Sequence, residues 1–157
     1  MASDEWRRVT ADELEALGSL CECMDLTRVR LHRGEGRLLA RTARRAVLAL
    51  SRGRAVTLGN HVFLPDRAAT SLPVLAHELT HCSQYQSWGP LRYYGRAVTE
   101  RLRELRWRLG LGPNPYAYDL ESEKPFEGYR MEQQGQIVED CFRGSARAAK
   151  ISPHRPS

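Results

Sequence analysis

Two histidines and a glutamate in one short motif are the residues of this chain best suited to chemistry. His77, Glu78 and His81 form the pattern H-E-x-x-H, in which the histidines stand four positions apart. On an α-helix this spacing places both imidazoles on one face, one turn apart. Two such imidazoles can hold a zinc ion, and the carboxylate beside them can accept a proton from a water that the zinc activates. The motif therefore predicts two zinc ligands, with Glu78 as the general base of a hydrolytic reaction.

The residues around the motif predict the helix that it requires. An apolar stretch over residues 72–76 leads directly into the motif, and Thr70 or Ser71 offers an N-cap. Pro73 suits the first helical turn, and Gly89-Pro90 ends the helix. The polar groups of a largely buried helix need partners, and one metal ion would serve both histidines. The alternative is a surface helix that carries two unrelated histidines.

The third zinc ligand must come from another part of the chain, because a catalytic zinc has three protein ligands and one open position. After the motif the next histidine is His154, so we expect an acidic ligand. Glu132 lies in the middle of a predicted helix over residues 126–142, and Glu139 shares its face about 10 Å away. One of the two would bind the metal while the other supports a histidine ring, and the residues leave this choice open. Further acidic candidates are Glu121, Glu123, Glu127 and Asp140.

Short elements before the motif are expected to position it. Thr10 and Glu13 have the spacing of a capping box, and Gly59-Asn60 has the composition of a hairpin turn. In chain order, the predicted elements are a helix over residues 11–17, a strand over 27–32, a helix over 38–50 and a hairpin over 55–64. We therefore expect an α+β fold, in which a short sheet packs on the motif helix and a later helix presents Glu132.

The length of 157 residues fits a single domain, which we place over residues 10–143. Residues 1–9 are expected to be an N-terminal tail and residues 144–157 a basic, disordered tail. No apolar run approaches the ~20 residues that span a bilayer. The polar, acidic start of the chain does not resemble a signal peptide, so cytoplasmic location is the default expectation, with leaderless export as the exception. The cysteines are expected to be free thiols: Cys21, Cys23, Cys82 and Cys141.

The net charge of +5 raises the question of nucleic-acid binding. Many of the arginines belong to one predicted helix over residues 91–109, whose apolar residues recur at intervals of four and three. This pattern is typical of an amphipathic helix with a solvated basic face. Nucleic-acid binding is therefore the least favoured function. The apolar residues of this helix are Val98, Leu102, Leu105 and Leu109.

Three segments of the chain together resemble a known family. They are the hairpin Val56 to Phe63 with its T-x-G-N sequence, the stretch Leu75 to Gln86 around H-E-L-T-H, and Glu132 to Asp140 with the sequence E-Q-Q-x-x-I-V-E-D. The segments are similar to those of the compact bacterial HExxH metallopeptidase-like domain. That domain is associated with contractile injection systems and with Vgr-related and polymorphic-toxin loci.

The resemblance implies a minimal gluzincin-like zincin, in which a small sheet covers the active-site helix and Glu132 is the third zinc ligand. The chain departs from the family pattern at two places. Gln136 stands where gluzincins usually carry an acidic supporting residue, and Tyr85 separates Gln84 from Gln86. These departures concern the residues around the ligands more than the ligands themselves.

Two functions fit these observations. The first is a zinc metalloendopeptidase with a polypeptide substrate, which would pair with the strand over residues 61–64. The second is a non-catalytic, zinc-stabilised adaptor whose partner is a secretion-system protein. In the first case, the carbonyl oxygen of the substrate needs a hydrogen-bond donor. The candidate donors are Tyr116, Tyr118, Tyr129 and His61.

Overall fold

The computed structural model describes residues 6–32, 44–49, 51–65, 71–119 and 124–156. They form the α+β fold expected from the sequence. In the described ranges, no helix is both long enough and apolar enough to cross a membrane. The principal elements are α1 (Ala11–Leu17), β1 (Arg30–His32), β2 (Val56–Leu58), β3 (His61–Phe63), α2 (Leu72–Trp88), α3 (Pro90–Arg108) and α4 (Met131–Phe142). Residues 44–49 are also helical, and short 3-10 turns cover Gly18–Cys23, Leu26–Arg28, Phe126–Gly128 and Ala148–Lys150.

The first helix begins with the capping box that its sequence predicts. The Thr10 hydroxyl accepts a hydrogen bond from the Glu13 N–H at 3.2 Å, and the Glu13 carboxylate accepts one from the Thr10 N–H at 2.9 Å. Arg7 lies within the predicted N-terminal tail, yet it exchanges two backbone hydrogen bonds of 2.9 Å with Leu31. This segment is therefore attached to the edge of the sheet.

The small sheet has the strand order β1-β3-β2. The predicted hairpin is present, with β2 and β3 antiparallel around Gly59, whose φ is +64°. β1 pairs with the other side of β3 in parallel. The strand predicted over residues 27–32 begins only at Arg30, because Asp25 accepts hydrogen bonds from Thr27 and caps a 3-10 turn. The central position of β3 leaves it no free edge.

Helix α2 lies between the sheet and α4 and carries most of the core contacts. It begins after Ser71, has Pro73 in its first turn, and ends at Gly89, whose φ is +77°. These boundaries match the predicted ones. Burial of the side chains in this core supplies the main stabilisation of the fold. The core residues of α2 and its neighbours include Leu31, Val62, Leu64, Leu75, Leu79 and Val138.

Helix α4 is shorter than the helix predicted over residues 126–142. Phe126–Gly128 forms a 3-10 turn, and Tyr129 and Arg130 are extended before the helix begins at Met131. The Gln133 side chain accepts a hydrogen bond from the Arg130 N–H at 3.1 Å, which helps to start the helix there. Glu132 consequently lies in the first turn of the helix rather than in its middle. In the first turn, the helix dipole stabilises a carboxylate.

Residues 144–156, which the sequence predicts to be a disordered tail, form contacts with α4 in the structure. Gly144 has a φ of +88°, which allows the chain to reverse after α4. The returning segment buries Ala148, and its His154 carbonyl accepts hydrogen bonds from Cys141 at 3.4 Å and from Ser152 at 2.7 Å. Charge and proline content suggested disorder, but these contacts hold the segment against α4.

Helix α3 is amphipathic, but its apolar face does not join the core. Its buried residues are Tyr93, Glu100 and Glu104. Glu104 is paired with Arg54, Arg101 and Arg108, and Glu100 is paired with Arg103. Ion pairing thus satisfies most of the carboxylate oxygens on the inward face of the helix, although Glu100 Oε2 is buried without a hydrogen-bond partner among the described residues. Its apolar residues Val98, Leu102, Leu105 and Leu109 are exposed to solvent.

Candidate metal centre

The two histidines of the motif lie one turn apart on α2 and face the same point. The Nε2 atoms of His77 and His81 are 3.2 Å apart, and both side chains are buried. The ring planes meet at 77°, so the two rings approach edge to face. Two nitrogen lone pairs so directed leave room for one cation between them.

A carboxylate from α4 completes a three-donor cluster. Glu132 Oε2 lies 3.6 Å from the Nε2 atom of His77 and 3.6 Å from that of His81. A tetrahedral zinc ion with bonds of ~2.0–2.2 Å separates its donors by about 3.3–3.6 Å. The three donor atoms of His77, His81 and Glu132 thus have both the chemistry and the spacing that zinc requires.

The remaining ring nitrogen of His77 is held by Glu139. His77 Nδ1 is 2.9 Å from Glu139 Oε2, and the other carboxylate oxygen accepts a hydrogen bond of 2.5 Å from Arg143. With the proton of His77 on Nδ1, the lone pair of Nε2 is directed at the cluster. Glu132 and Glu139 therefore occupy the two positions that the sequence left open: one meets Nε2 and the other meets Nδ1.

His81 has an equivalent support in Gln84, to which the sequence had assigned no such contact. His81 Nδ1 is 2.8 Å from Gln84 Oε1. The Gln84 amide nitrogen donates to the Gln134 side chain at 2.9 Å and to the Met131 carbonyl at 3.2 Å. Since Gln84 follows His81 by three positions on α2, helical spacing was the available signal. Both histidine rings are thus fixed by contacts on their outer nitrogen.

Glu78 is buried beside the cluster and is anchored to the sheet. The Thr57 hydroxyl on β2 lies 2.7 Å from Glu78 Oε2 and 3.0 Å from the Glu78 carbonyl oxygen. Tyr93 donates from its hydroxyl to the Thr57 carbonyl at 3.2 Å. Thr57 thus orients the Glu78 carboxylate directly, and Tyr93 of α3 in turn holds the backbone of Thr57.

The electrostatics of the cluster favour a bound positive charge. Burial opposes ionisation of Glu132, yet His81 and His77 hold the pKa of its carboxyl well below the usual range. Burial also disfavours charged imidazoles, but hydrogen bonds from His77 to Glu132 and Glu139 raise the pKa of His77 to about 10. The charge of Glu132 raises the pKa of His81 as well. Either a proton or a metal ion would balance the negative charge of these carboxylates.

A cleft of about 950 Å³ opens in front of the cluster. Its floor contains His77, Glu78, His81 and Glu132, and β2 forms part of one wall. The strand that we expected to pair with a substrate, over residues 61–64, contains the central strand β3, which is hydrogen-bonded on both sides. The strand at the edge of the sheet that lines the cleft is β2.

Tyr116 is the one candidate donor that lines the cleft among the four named from the sequence. Arg54 donates to its hydroxyl oxygen at 3.1 Å. Burial and the negative charge of Glu132 raise the pKa of Tyr116 to about 12, so its phenol keeps its proton at neutral pH. The tyrosine can therefore present a hydrogen-bond donor to the cleft.

The other three candidate donors are engaged elsewhere. The Tyr118 hydroxyl donates to Asp140 at 2.8 Å, and the Tyr129 hydroxyl donates to the Asp119 carbonyl at 3.0 Å. His61 contacts His32 on the sheet, with their ring nitrogens 2.9 Å apart. None of the three lines the cleft. Of the other acidic candidates, Glu127 is exposed, Asp140 binds Tyr118, and Glu121 and Glu123 lie outside the described residues.

The close approach of α4 to His77 requires a glycine at position 135. A Cβ atom at Gly135 would lie 2.8 Å from His77 Nε2, 2.9 Å from Cε1 and 3.0 Å from Cδ2. In an ordinary helix, Gly→Ala is favourable by ~1 kcal/mol. Here we expect Gly135→Ala to displace the His77 ring and to weaken zinc affinity by about 10- to 100-fold, measured by competition with a chromophoric chelator.

Gly95 on α3 provides a matched control, because a Cβ atom there would meet no atom within 4 Å. Gly95→Ala should leave zinc affinity unchanged and raise the free energy of unfolding by about 1 kcal/mol. Circular dichroism of both variants would show whether the fold is retained. An unaltered zinc affinity in folded Gly135→Ala would mean that the His77 ring does not contribute to the metal site in this orientation.

Comparison with known sequences finds a match to one family model over part of the chain. Residues 21–89 match the sequence model of the eCIS core domain, the core domain of extracellular contractile injection systems. The match covers β1, the hairpin and α2, but ends before α4 with Glu132 and Glu139. It supports an association with a contractile injection system and does not itself identify a metallopeptidase. No curated protein and no solved structure gives a significant match.

Proposed function

We propose that this chain is a zinc-dependent metallopeptidase-like protein of a contractile injection system. The observation that carries the proposal is the convergence of His77, His81 and Glu132, with donor separations of 3.2 to 3.6 Å, beside the buried carboxylate of Glu78. The similarity of residues 21–89 to the eCIS core domain supports the second half of the proposal. The most direct partner is then a protein of such a system or a polypeptide that the system delivers.

Four residues of the site would have distinct roles in peptide hydrolysis. His77, His81 and Glu132 would hold the zinc, which acts as a Lewis acid toward water and a substrate carbonyl. Glu78 would accept the proton of the attacking water and pass it to the leaving amine. Because Thr57 holds one oxygen of Glu78 at 2.7 Å, the carboxylate is oriented before the substrate arrives.

Tyr116 and β2 would position the substrate. The Tyr116 phenol remains protonated at neutral pH and would donate a hydrogen bond to the negative charge that develops on the carbonyl oxygen. Arg54, which also lines the cleft, donates a hydrogen bond to this hydroxyl oxygen at 3.1 Å and would help to hold it there. An extended peptide would approach the edge strand β2 rather than the central strand β3, and Tyr93 would have to release the Thr57 carbonyl for pairing there.

Hydrolysis of an unfolded polypeptide by the purified full chain tests this proposal. We expect the zinc-loaded protein to release peptide fragments, detected by mass spectrometry, from a permanently unfolded substrate such as reduced and alkylated casein. A chelator should stop cleavage, and one equivalent of zinc should restore it. Cleavage that persists with no bound metal would contradict the assignment of zinc.

A non-catalytic adaptor is the second candidate. It is favoured by one feature of the site: the donors come from α2 and α4, so a zinc ion would join two helices of the core. Binding to the folded state alone stabilises it, and a structural role would therefore need no chemistry. In that case chelation would lower Tm, while the wild-type protein would cleave no polypeptide.

A further inference from the structure

The exposed side of α3 carries a regular row of apolar residues that has no partner in the described structure. We call it the α3 seam and define it as Leu91, Gly95, Val98, Leu102, Leu105 and Leu109. The exposed fraction of its large side chains ranges from 51% at Leu105 to 91% at Leu91. A contiguous apolar row of this kind on a protein surface is typical of an interaction site.

The spacing within the α3 seam is that of a coiled coil. Successive members are separated by four, three, four, three and four positions, which is the interval of heptad positions a and d. From Leu91 to Leu109 the row is about 27 Å long, or about five helical turns. The opposite side of the same helix is occupied, because Tyr93, Glu100 and Glu104 are buried there. The α3 seam therefore faces away from the core.

Positive charge borders the α3 seam on both sides. In helical projection, Arg101 and Arg108, which also pair with the buried Glu104, lie along one side, and Arg92 and Arg106 lie along the other. The helix has only two carboxylates, Glu100 and Glu104, and both are turned inward with exposed fractions of 5% and 4%. The exposed side of α3 thus combines an apolar row with cations and presents no carboxylate of its own.

The positive charge beside the α3 seam indicates which kind of partner could bind there. A second copy of the chain would place arginines against arginines, which is unfavourable at the flanking positions of a coiled coil. A lipid surface is bound by a broad apolar face with large hydrophobic anchors. The α3 seam is instead narrow and includes Gly95, which permits close approach of another backbone. A partner helix with acidic residues beside its apolar row would match both the narrow shape of the α3 seam and its flanking arginines.

We propose that the α3 seam binds an amphipathic α-helix of another polypeptide, with apolar residues at the heptad core positions and Glu or Asp beside them. Val98 and Arg101 also line the cleft, so the bound helix would lie at the rim of the cleft. The proposal does not depend on the metal site: it would hold for an adaptor as well as for a peptidase.

A synthetic helix provides the probe. It has about 21 residues in three heptads, with Leu and Ile at the core positions and Glu at the flanking positions. Its dye-labelled form is titrated with the full chain and followed by fluorescence anisotropy. We expect saturable binding with a Kd on the order of 10 µM, and at least about tenfold weaker binding of a second peptide with Lys at the flanking positions.

Variants of the chain separate the apolar contribution from the charges. V98S/L102S changes two exposed side chains and should weaken binding of the Glu peptide at least about tenfold, while Leu14→Ser on α1 is the off-site control and should have no effect. R92E/R106E should remove most of the preference for the Glu peptide, because it leaves positive charge only on the Arg101 and Arg108 side. Circular dichroism would confirm that each variant is folded.

Several results would overturn the proposal. They are an absence of binding by the Glu peptide, equal binding of both peptides by the wild type, and an unchanged Kd in folded V98S/L102S. Dimerisation of the chain in analytical ultracentrifugation that V98S/L102S abolishes would assign the α3 seam to a second copy. Binding to phosphatidylserine vesicles that the same variant abolishes, with no peptide binding, would assign it to a lipid surface.

Discussion

Replacement of Glu78 by glutamine is expected to lower kcat for polypeptide hydrolysis by about a thousandfold, within the ~10²–10⁴-fold range of general acid–base catalysis. The amide has nearly the same shape as the carboxylate but cannot accept the proton of the attacking water. Zinc content should not change, because Glu78 is not among the three donors of the cluster. The Thr57 hydroxyl can still donate to the amide oxygen, so the local packing should be kept.

Glu22→Gln is the matched control for this variant, since Glu22 is exposed and receives the same chemical change. Rates of fragment release, zinc content and Tm would be measured for both proteins beside the wild type. If Glu78→Gln and the wild type cleave at equal rates, Glu78 is not the base and the peptidase proposal fails. If neither protein cleaves while zinc raises the Tm of both, the adaptor becomes the better account.

Glu132→Ala is expected to weaken zinc affinity by about a thousandfold. Zinc sites in small domains bind with ~10–16 kcal/mol in total, and the loss of one ligand among three removes a substantial part of this. A thousandfold change in affinity corresponds to ~4 kcal/mol of binding free energy. The half-buried carboxylate also provides the negative charge that two histidines cannot supply. Competition with a chromophoric chelator would give the affinity.

Two further glutamate variants make the measurement specific. Glu139→Ala removes the contact to His77 Nδ1 and should weaken zinc affinity by about 10- to 100-fold, as expected for a residue that orients a ligand. Glu127→Ala changes an exposed glutamate near the start of α4 and should have no effect. Equal losses in Glu132→Ala and Glu139→Ala, or a larger loss in the second, would reverse the two roles assigned to them.

Helix α4 could be predicted from the sequence, but the contacts of its two glutamates could not. The sequence predicts a helix there with Glu132 and Glu139 on one face, and the structure contains this helix from Met131 onward. Helical spacing alone could not decide which carboxylate meets the histidines. The decision depends on how α4 approaches α2, and that approach is set by Gly135, where a Cβ atom would lie 2.8 Å from the His77 ring.

Sequence patterns were also incomplete where a residue's partner lies far away in the chain. Thr57 and Glu78 are 21 positions apart, and Gln84 and Gln134 are 50 positions apart. No periodicity of a single element connects such pairs. The same limit applies to Tyr118 and Tyr129, whose hydroxyls have partners outside the cleft, whereas Tyr116 lines it.

The sequence by itself determined the features that depend on neighbours a few positions apart. These include the capping box at Thr10 and Glu13, the hairpin turn at Gly59, and the helix that places His77 and His81 on one face. Hydrogen bonds and steric limits within one turn or one hairpin are sufficient to define them.

Only the tertiary structure decided which surfaces and carboxylates meet. It placed β3 in the centre of the sheet, brought Glu132 to the Nε2 atoms and Glu139 to Nδ1, and left the apolar row of α3 in solvent. An apolar pattern states that residues share one face of a helix, but not what covers that face. That outcome depends on the balance of burial and ion pairing over the whole chain, in which Glu100 and Glu104 occupy the inner side of α3.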